Sequence, residues 1–197
     1  TVVFVLPRTR LMRHSPPYII IHLLIIALHL PTMSGGGSFL KSLLLQPVTK
    51  RHVERQILKT PPKHLFRIIQ DVDRYSEFLP LCTSSQVLRR QGNNLFDATL
   101  TVGMPPVFTE NFVSRVTTDP IELVVESKSI QSKMFDQLSS RWKLKANAQN
   151  PNETDVDFWT EMTVSDPVIV SVLGKVLREV AGRQVAAFEK RCKVVPI

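Results

Sequence analysis

Imidazole is the side chain most often used for proton transfer in catalysis. All five histidines of this 197-residue chain, His14, His22, His29, His52 and His64, fall in its first 64 residues. The folded body is therefore expected to hold essentially no imidazole to serve as a general base. Cys82 and Cys192 are the two thiols, 110 residues apart with no metal-ligand spacing, so neither a disulfide framework nor a zinc site is expected. Cys82 reads as a small buried or half-buried thiol in a loop, because no histidine lies near it in sequence to make it a nucleophile. The chain carries no Gly-rich phosphate loop, no His-Glu-x-x-His and no Gly-x-Ser-x-Gly elbow. No catalytic residue, metal or catalytic cofactor is assigned, and a binding protein ranks above a hydrolase or a dehydrogenase.

The residues that remain suit an apolar ligand. Phe96, Leu100, Phe112, Trp142, Phe158 and Met162 fall on the inward faces of predicted strands, and Leu173, Leu177 and Val180 recur at helical spacing. Each position serves equally as ordinary core or as pocket lining. A lipid tail gains roughly 25 cal/mol for each Å² of apolar surface withdrawn from water, so such a lining supplies affinity, and a few polar atoms select the head group.

Glu110 is the polar residue to watch. By strand period it shares a face with Phe108, Phe112 and Val116, whereas Arg115 points the other way. On an interior face it must be paired, or else bonds a ligand head group or a nearby water. The alternatives are a bulge after Pro106 that turns it outward, or neutralisation by Arg or Lys on a neighbouring strand. Two apolar loops, one with Phe78 and Leu79 and one with Met104, Val107 and Phe108, either dip into a membrane to collect a ligand or pack as a lid on their own domain.

The elements that must position these residues follow from periodicity. Residues 50–58 read as a first strand; Thr60-Pro61-Pro62 starts a helix running to about Asp71, and 73–78 forms a second short helix stopped by Pro80. Gln91-Gly92-Asn93-Asn94 is turn chemistry for a hairpin leading into 96–102. Strands at 108–116, 121–127, 138–146 and 154–164 complete an antiparallel series. Asp166 suits an N-cap and Pro167 a first helical residue, opening one long helix to about Cys192. The fold class is α+β: a curved antiparallel sheet around a long C-terminal helix, with two short helices after the first strand.

The formal net charge is +8, from 25 Lys and Arg against 17 Asp and Glu. Residues 1–63 contain nine of the basic side chains and one acid, Glu54, which leaves the remainder neutral. A neutral body offers phosphate no basic face, so no nucleic-acid partner is expected. An acid-poor, Arg-bearing N-terminal stretch has the composition of an import presequence. Residues 1–46 are read as leader and 47–197 as one domain. The apolar run 18–30 reaches about 20 Å as a helix, short of the ~30 Å hydrocarbon core, and is a weak span. Its basic-then-apolar order also fits a secretory signal without a clear cleavage site. Met33, followed by Ser34 and three glycines, is a candidate initiator, in which case residues 1–32 are not translated.

Three segments carry a family resemblance: 72–87 (VDRYSEFLPLCTSSQV), 96–116 (FDATLTVGMPPVFTENFVSRV) and 135–144 (FDQLSSRWKL). They resemble the coenzyme Q-binding proteins of the START (polyketide cyclase/dehydrase) superfamily, over about residues 50–193. Tyr75, Glu77, Phe78, Leu79, Pro80 and Cys82 match the family's Tyr-x-Glu-Phe-Leu-Pro-x-Cys, with Leu81 where many members carry Trp. Glu110, Phe112, Ser114, Arg115 and Val116 match its Glu-x-Phe-x-Ser-Arg-Val strand, and Leu138 and Trp142 its Leu-x-x-x-Trp. Residues 131–134 depart from the Gly-Pro found before Phe in many bacterial members.

The resemblance implies a helix-grip fold holding ubiquinone, or a polyisoprenoid quinone precursor, as bound ligand. It further implies a non-enzymatic carrier or chaperone for respiration and quinone biosynthesis. Such a protein would sit peripherally at the matrix side of the mitochondrial inner membrane, with quinone-biosynthesis or respiratory complexes as partners. The superfamily also holds cyclase/aromatase enzymes and a ribosome-associated interaction protein, which are the alternative readings.

Overall fold

The computed structural model describes residues 46–104 and 108–197. The leader expected at 1–46 lies outside them but for its last residue, as does Val107, and the side chains of Met104, Phe108 and Leu173 are likewise outside what is described.

Seven strands form one antiparallel sheet: β1 (Val48–Leu58), β2 (Cys82–Arg90), β3 (Leu95–Met104), β4 (Phe108–Asp119), β5 (Val124–Gln131), β6 (Gln137–Ala146) and β7 (Thr154–Val164). Their spatial order is β1-β7-β6-β5-β4-β3-β2, a meander from β2 to β7 with β1 added beside β7. Between β1 and β2 the chain must cross from one edge of the sheet to the other. Helix α1 (Pro62–Gln70) and a 3-10 helix (Val72–Glu77) make that crossing. The long helix α2 (Pro167–Val194) packs against β1, β7 and α1. This is the expected helix-grip arrangement, with both short helices after the first strand.

Local chemistry explains the helix boundaries. Pro61 and Pro62 open α1, where a missing N–H costs nothing, and its buried face is Leu65, Phe66, Ile68 and Ile69. Asp166 caps α2 as expected: its Oδ1 accepts from the Ile169 N–H at 3.3 Å. At 28 residues α2 is about 42 Å long, enough to cross the sheet. No helix among the described residues is both long and apolar enough to cross a membrane.

Two strands depart from expectation. Residues 121–127 were to form a strand, but β5 begins at Val124 and continues to Gln131. Asp119 Oδ1 accepts from the Ile121 and Glu122 amides at 2.9 and 3.0 Å, and Leu123 takes a positive φ of 51°. The chain is therefore still turning where the apolar residues 121 and 123 suggested a strand, and Ile121 is fully solvated. The other arm of the Gln91–Asn94 hairpin is β2, an edge strand mostly exposed on both faces, which leaves its sequence little period to show.

The expectation of a body without imidazole fails, because the domain already begins at β1. His52 lies on that strand, 3.0 Å from Glu54. His64 is buried in α1, where its Nε2 meets the Cys192 carbonyl at 3.1 Å and its Nδ1 meets Arg67 Nη2 at 3.0 Å. Since Arg67 can only donate, Nδ1 accepts and Nε2–H donates to the last turn of α2. Arg67 Nη2 also donates to the Pro196 carbonyl at 2.7 Å, so the His64–Arg67 pair anchors the C-terminal end of the chain. It satisfies backbone that the helix leaves open; the ring does structural work.

On the outer face Arg115 and Asp97 are direct cross-strand partners. Arg115 Nε and Nη2 reach the two Asp97 oxygens at 2.9 and 3.2 Å, and Arg89 adds a contact at 3.1 Å. The hydrogen bond from Arg115, then that from Arg89, hold the Asp97 carboxyl below the usual carboxylate range against the opposing effect of desolvation. A folded-state value below the unfolded ~3.9 makes this contribution full above that value, and it is lost as pH falls through the lower one. Asp97→Asn is expected to unfold at lower urea than wild type at pH 7, and the two midpoints are expected to converge as pH drops below 4. Coincident midpoints at pH 7 would show that the pair contributes nothing, and a constant offset down to pH 2 would show that its contribution does not depend on the carboxylate charge.

Candidate functional site

Among the described residues the buried core falls into two clusters. The larger cluster is built on Phe96, Trp142, Phe158 and Phe188 with the buried face of α1; a smaller one holds Phe112, Phe135 and Val164. Leu100 packs against both, and between them lies a cavity of about 250 Å³. Its wall comes from Leu100, Val102 and Gly103 of β3, Glu110 and Phe112 of β4, Leu138 of β6, and Thr160 and Met162 of β7. Ile169, Leu177, Val180, Ala181 and Gln184 of α2 close the opposite side, while Leu79–Cys82 and Met134–Phe135 complete the lining.

Of the residues expected to meet a ligand, Leu100, Glu110, Phe112, Met162, Leu177 and Val180 surround this cavity. Phe96, Trp142 and Phe158 do not. They are buried in the larger cluster, where the Trp142 and Phe158 ring centroids are 4.3 Å apart and Trp142 meets Phe188 edge-on at 5.0 Å. An inward-facing aromatic in mid-sheet is drawn first into the core. Of the five loop residues expected at a membrane, the side chains of Phe78 and Leu79 are described, and Leu79 lines the cavity. Phe78 turns onto the rings of Tyr75 and Phe188, at 5.8 and 5.1 Å, with the Arg191 guanidinium 5.4 Å from its own ring.

The same periodicities reached further than the expected set. Thr160 and Val102 share faces with Met162 and Leu100 by the strand period of two, and Gln184 follows Leu177 and Val180 at helical spacing. Phe135 and Met134 lie in a connection, where no period exists to point them inward.

Cys82 is the first residue of β2, not a loop residue, and it lines the cavity as a free thiol. Its Sγ donates to the Ser84 carbonyl at 3.4 Å, and burial pushes its pKa up, which keeps it a thiol and a poor nucleophile. Beside it Leu81 takes φ 66°, a costly conformation for a residue with a branched side chain, and its carbonyl accepts from the Gly103 N–H at 2.8 Å. That bond ties the loop to β3, where Gly103 itself needs φ 152°.

Glu110 is 6% exposed and faces inward. The β3–β4 register runs without a shift from Leu95↔Thr117 to Met104↔Phe108, so no bulge turns it outward. Its neutralisation is not by Arg or Lys. Oε1 accepts from Ser132 Oγ at 2.7 Å, from the Lys133 N–H at 2.8 Å and from the Met134 N–H at 3.1 Å. Ser132 Oγ in turn accepts from the Met134 and Phe135 amides, each at 3.2 Å. One carboxylate oxygen therefore organises the whole β5–β6 connection, the segment that departs from Gly-Pro. Among the described residues Glu110 Oε2 accepts no hydrogen bond. Thr160 Oγ1 donates to the Ser139 carbonyl at 3.3 Å, and the Gln184 side chain has no hydrogen-bond partner among the described residues. A cavity of this kind can hold an apolar molecule with a small polar end.

Residues 58–189 match the family model for polyketide cyclase/dehydrase and lipid transport. Over 150 residues the chain is 29% identical to the mitochondrial coenzyme Q-binding protein COQ10 of Dictyostelium discoideum, covering 75% of this chain and 72% of that one. It is also 29% identical over 143 residues to the ribosome association toxin RatA of Pseudomonas aeruginosa, covering 72% and 95%. Its fold matches the crystal structure of Zhui aromatase/cyclase from a Streptomyces species with a TM-score of 0.65 at 13% identity, covering 74% and 94%. A START superfamily protein from Mycobacterium smegmatis matches at 0.63 and 17%, covering 73% and 97%.

Proposed function

The chain belongs to the polyketide cyclase/dehydrase and lipid transport family, and within it we propose a non-enzymatic carrier that binds ubiquinone or a polyisoprenoid precursor in the cavity between its sheet and α2. The observation that carries this reading is the apolar cavity between the two core clusters, lined by aliphatic and aromatic side chains with few polar ones. Relatives named as coenzyme Q-binding proteins, in Dictyostelium discoideum and in Saccharomyces cerevisiae, support it.

A volume of about 250 Å³ lies just under the ~300–1,000 Å³ typical of pockets that enclose a drug-sized ligand. It suits a substituted ring and the start of an isoprenoid tail, and the remainder of the tail leaves through the mouth. Leu79 and Leu81 would meet the membrane there, and Met104, Val107 and Phe108 are the other membrane contacts proposed. The carrier acts peripherally at the matrix side of the mitochondrial inner membrane, handing quinone to respiratory or quinone-biosynthesis complexes. A cyclase would need a positioned acid and base, whereas the Cys82 thiol and the Thr160 hydroxyl are spent on backbone carbonyls, which leaves Glu110 Oε2 without a second proton-transferring side chain among the described lining.

The RatA similarity favours a second reading, a ribosome-associated interaction protein. One preparation separates the two. Protein purified from a quinone-producing host and extracted with organic solvent is expected to release near-stoichiometric quinone by mass spectrometry. Quinone-free protein that co-sediments with ribosomes would overturn the carrier reading.

A further inference from the structure

We infer that the cavity discriminates between the oxidation states of its ligand's ring, holding a hydroxyl-bearing head group, a hydroquinone or a phenol, in preference to the quinone. The inference rests on the quinone-carrier reading and specifies its ligand further. What carries it is the set of hydrogen-bonding positions that the lining leaves open.

Among the described residues four polar side chains line the cavity: Cys82, Glu110, Thr160 and Gln184. Two have already given away their only proton, the Cys82 thiol to the Ser84 carbonyl and the Thr160 hydroxyl to the Ser139 carbonyl. The lining amides of Gly103, Met134 and Phe135 are likewise committed inside the protein. Glu110 directs Oε1 to its three loop donors and keeps Oε2 free of any partner among the described residues, although the residue is only 6% exposed and lies on the cavity wall. Gln184 alone among the four retains free N–H groups, and it retains an acceptor as well.

The described lining is therefore rich in acceptors. A benzoquinone carries only acceptors, its carbonyl and ether oxygens, whereas a hydroquinone or phenol brings O–H donors. A quinone oxygen opposite Glu110 Oε2 gains no bond and meets like partial charge. A hydroxyl there makes a short charge-assisted bond, about twice as strong as a neutral one. The Gln184 amide serves either state, donating to a carbonyl or accepting from a hydroxyl. Glu110 sets the preference, and Gln184 gives the quinone its main polar anchor.

The test uses the full chain and one redox pair as probe: a dimethoxy-methyl-benzoquinone with a ten-carbon tail, and its hydroquinone kept reduced with dithionite under argon. Anaerobic ultrafiltration gives each Kd. Wild-type protein is expected to bind the hydroquinone at least about tenfold more tightly. In Glu110→Gln the amide oxygen still serves the 132–134 loop, and an N–H donor replaces Oε2, so the ratio is expected to fall to one or below. Gln184→Leu, which leaves that loop untouched, is expected to weaken the quinone more than the hydroquinone and widen the ratio. Equal wild-type affinities, an unchanged ratio in folded Glu110→Gln, or an unwidened ratio in Gln184→Leu overturns the inference while leaving the carrier reading in place. Failure of both probe forms to bind wild-type protein overturns both.

Discussion

Val180→Trp is expected to abolish most ligand binding while leaving the fold intact. Val180 stands on α2 facing the sheet across the cavity, next to Leu177 and Ala181, so an indole at this position projects into open volume and not into packed core. Overpacking a filled core typically costs 1–3 kcal/mol, but here the added ring has about 250 Å³ to enter, so stability should change by less than about 1 kcal/mol. The ligand loses that space. Withholding about 100 Å² of apolar contact at roughly 25 cal/mol per Å² removes about 2.5 kcal/mol, near a hundredfold in Kd. Met162→Trp, reaching in from the sheet side, should act in the same direction. Urea midpoints close to wild type together with a hundredfold weaker binding of a decyl-tailed quinone would be the expected pair of results. Undiminished binding in both variants would place the ligand elsewhere on the molecule.

The fold was legible where one physical rule governed a segment without competition. β7 shows this best: Val156, Phe158, Thr160, Met162 and Val164 face inward and alternate with Asp155, Asp157, Trp159, Glu161 and Thr163, because one face of the strand packs on α2 and the other turns away from it. The start of α2 was equally legible, since Asp166 and Pro167 are good for little else than opening a helix. Legibility failed where local hydrogen bonds competed with periodicity. Around Ile121 an Asp side chain captured two amides and held the chain in a turn, so an apolar residue that looks like strand is exposed.

The site was legible by face but not by depth. Strand alternation says which side a residue takes, not how far along the sheet the packing is complete. Phe96 and Leu100 lie on one face of β3, yet Phe96 is sealed in core while Leu100 borders the cavity. That difference is fixed by what comes from α1 and α2 to meet each residue, information that does not reside in β3. Glu110 illustrates the same gap. Its inward direction followed from period alone, but its partners, Ser132 and the backbone of 133 and 134, come from a connection whose path no periodicity describes.

Phe188→Ala is expected to destabilise the protein by about 3–5 kcal/mol, a large share of the stability of a domain this size. Phe188 is fully buried on α2 and joins three partners edge-on: Tyr75 at 5.3 Å, Phe78 at 5.1 Å and Trp142 at 5.0 Å. These belong to the 3-10 helix, to the loop after it and to β6, so one ring connects the long helix to the crossing segment and to the middle of the sheet. Tyr75 is fixed there by its own hydroxyl, which donates to the Ile69 carbonyl, and the site's burial raises the phenol's pKa well above normal. The ring cannot follow Phe188 inward without breaking that bond, so the void left by alanine should collapse poorly and the cost should fall toward the upper end. Phe188→Leu, which keeps most of the volume but none of the edge-to-face contacts, is expected to lose clearly less. Urea unfolding of the three proteins measures both differences. A loss below 1 kcal/mol in Phe188→Ala would mean that α2 is held to the sheet chiefly by other contacts.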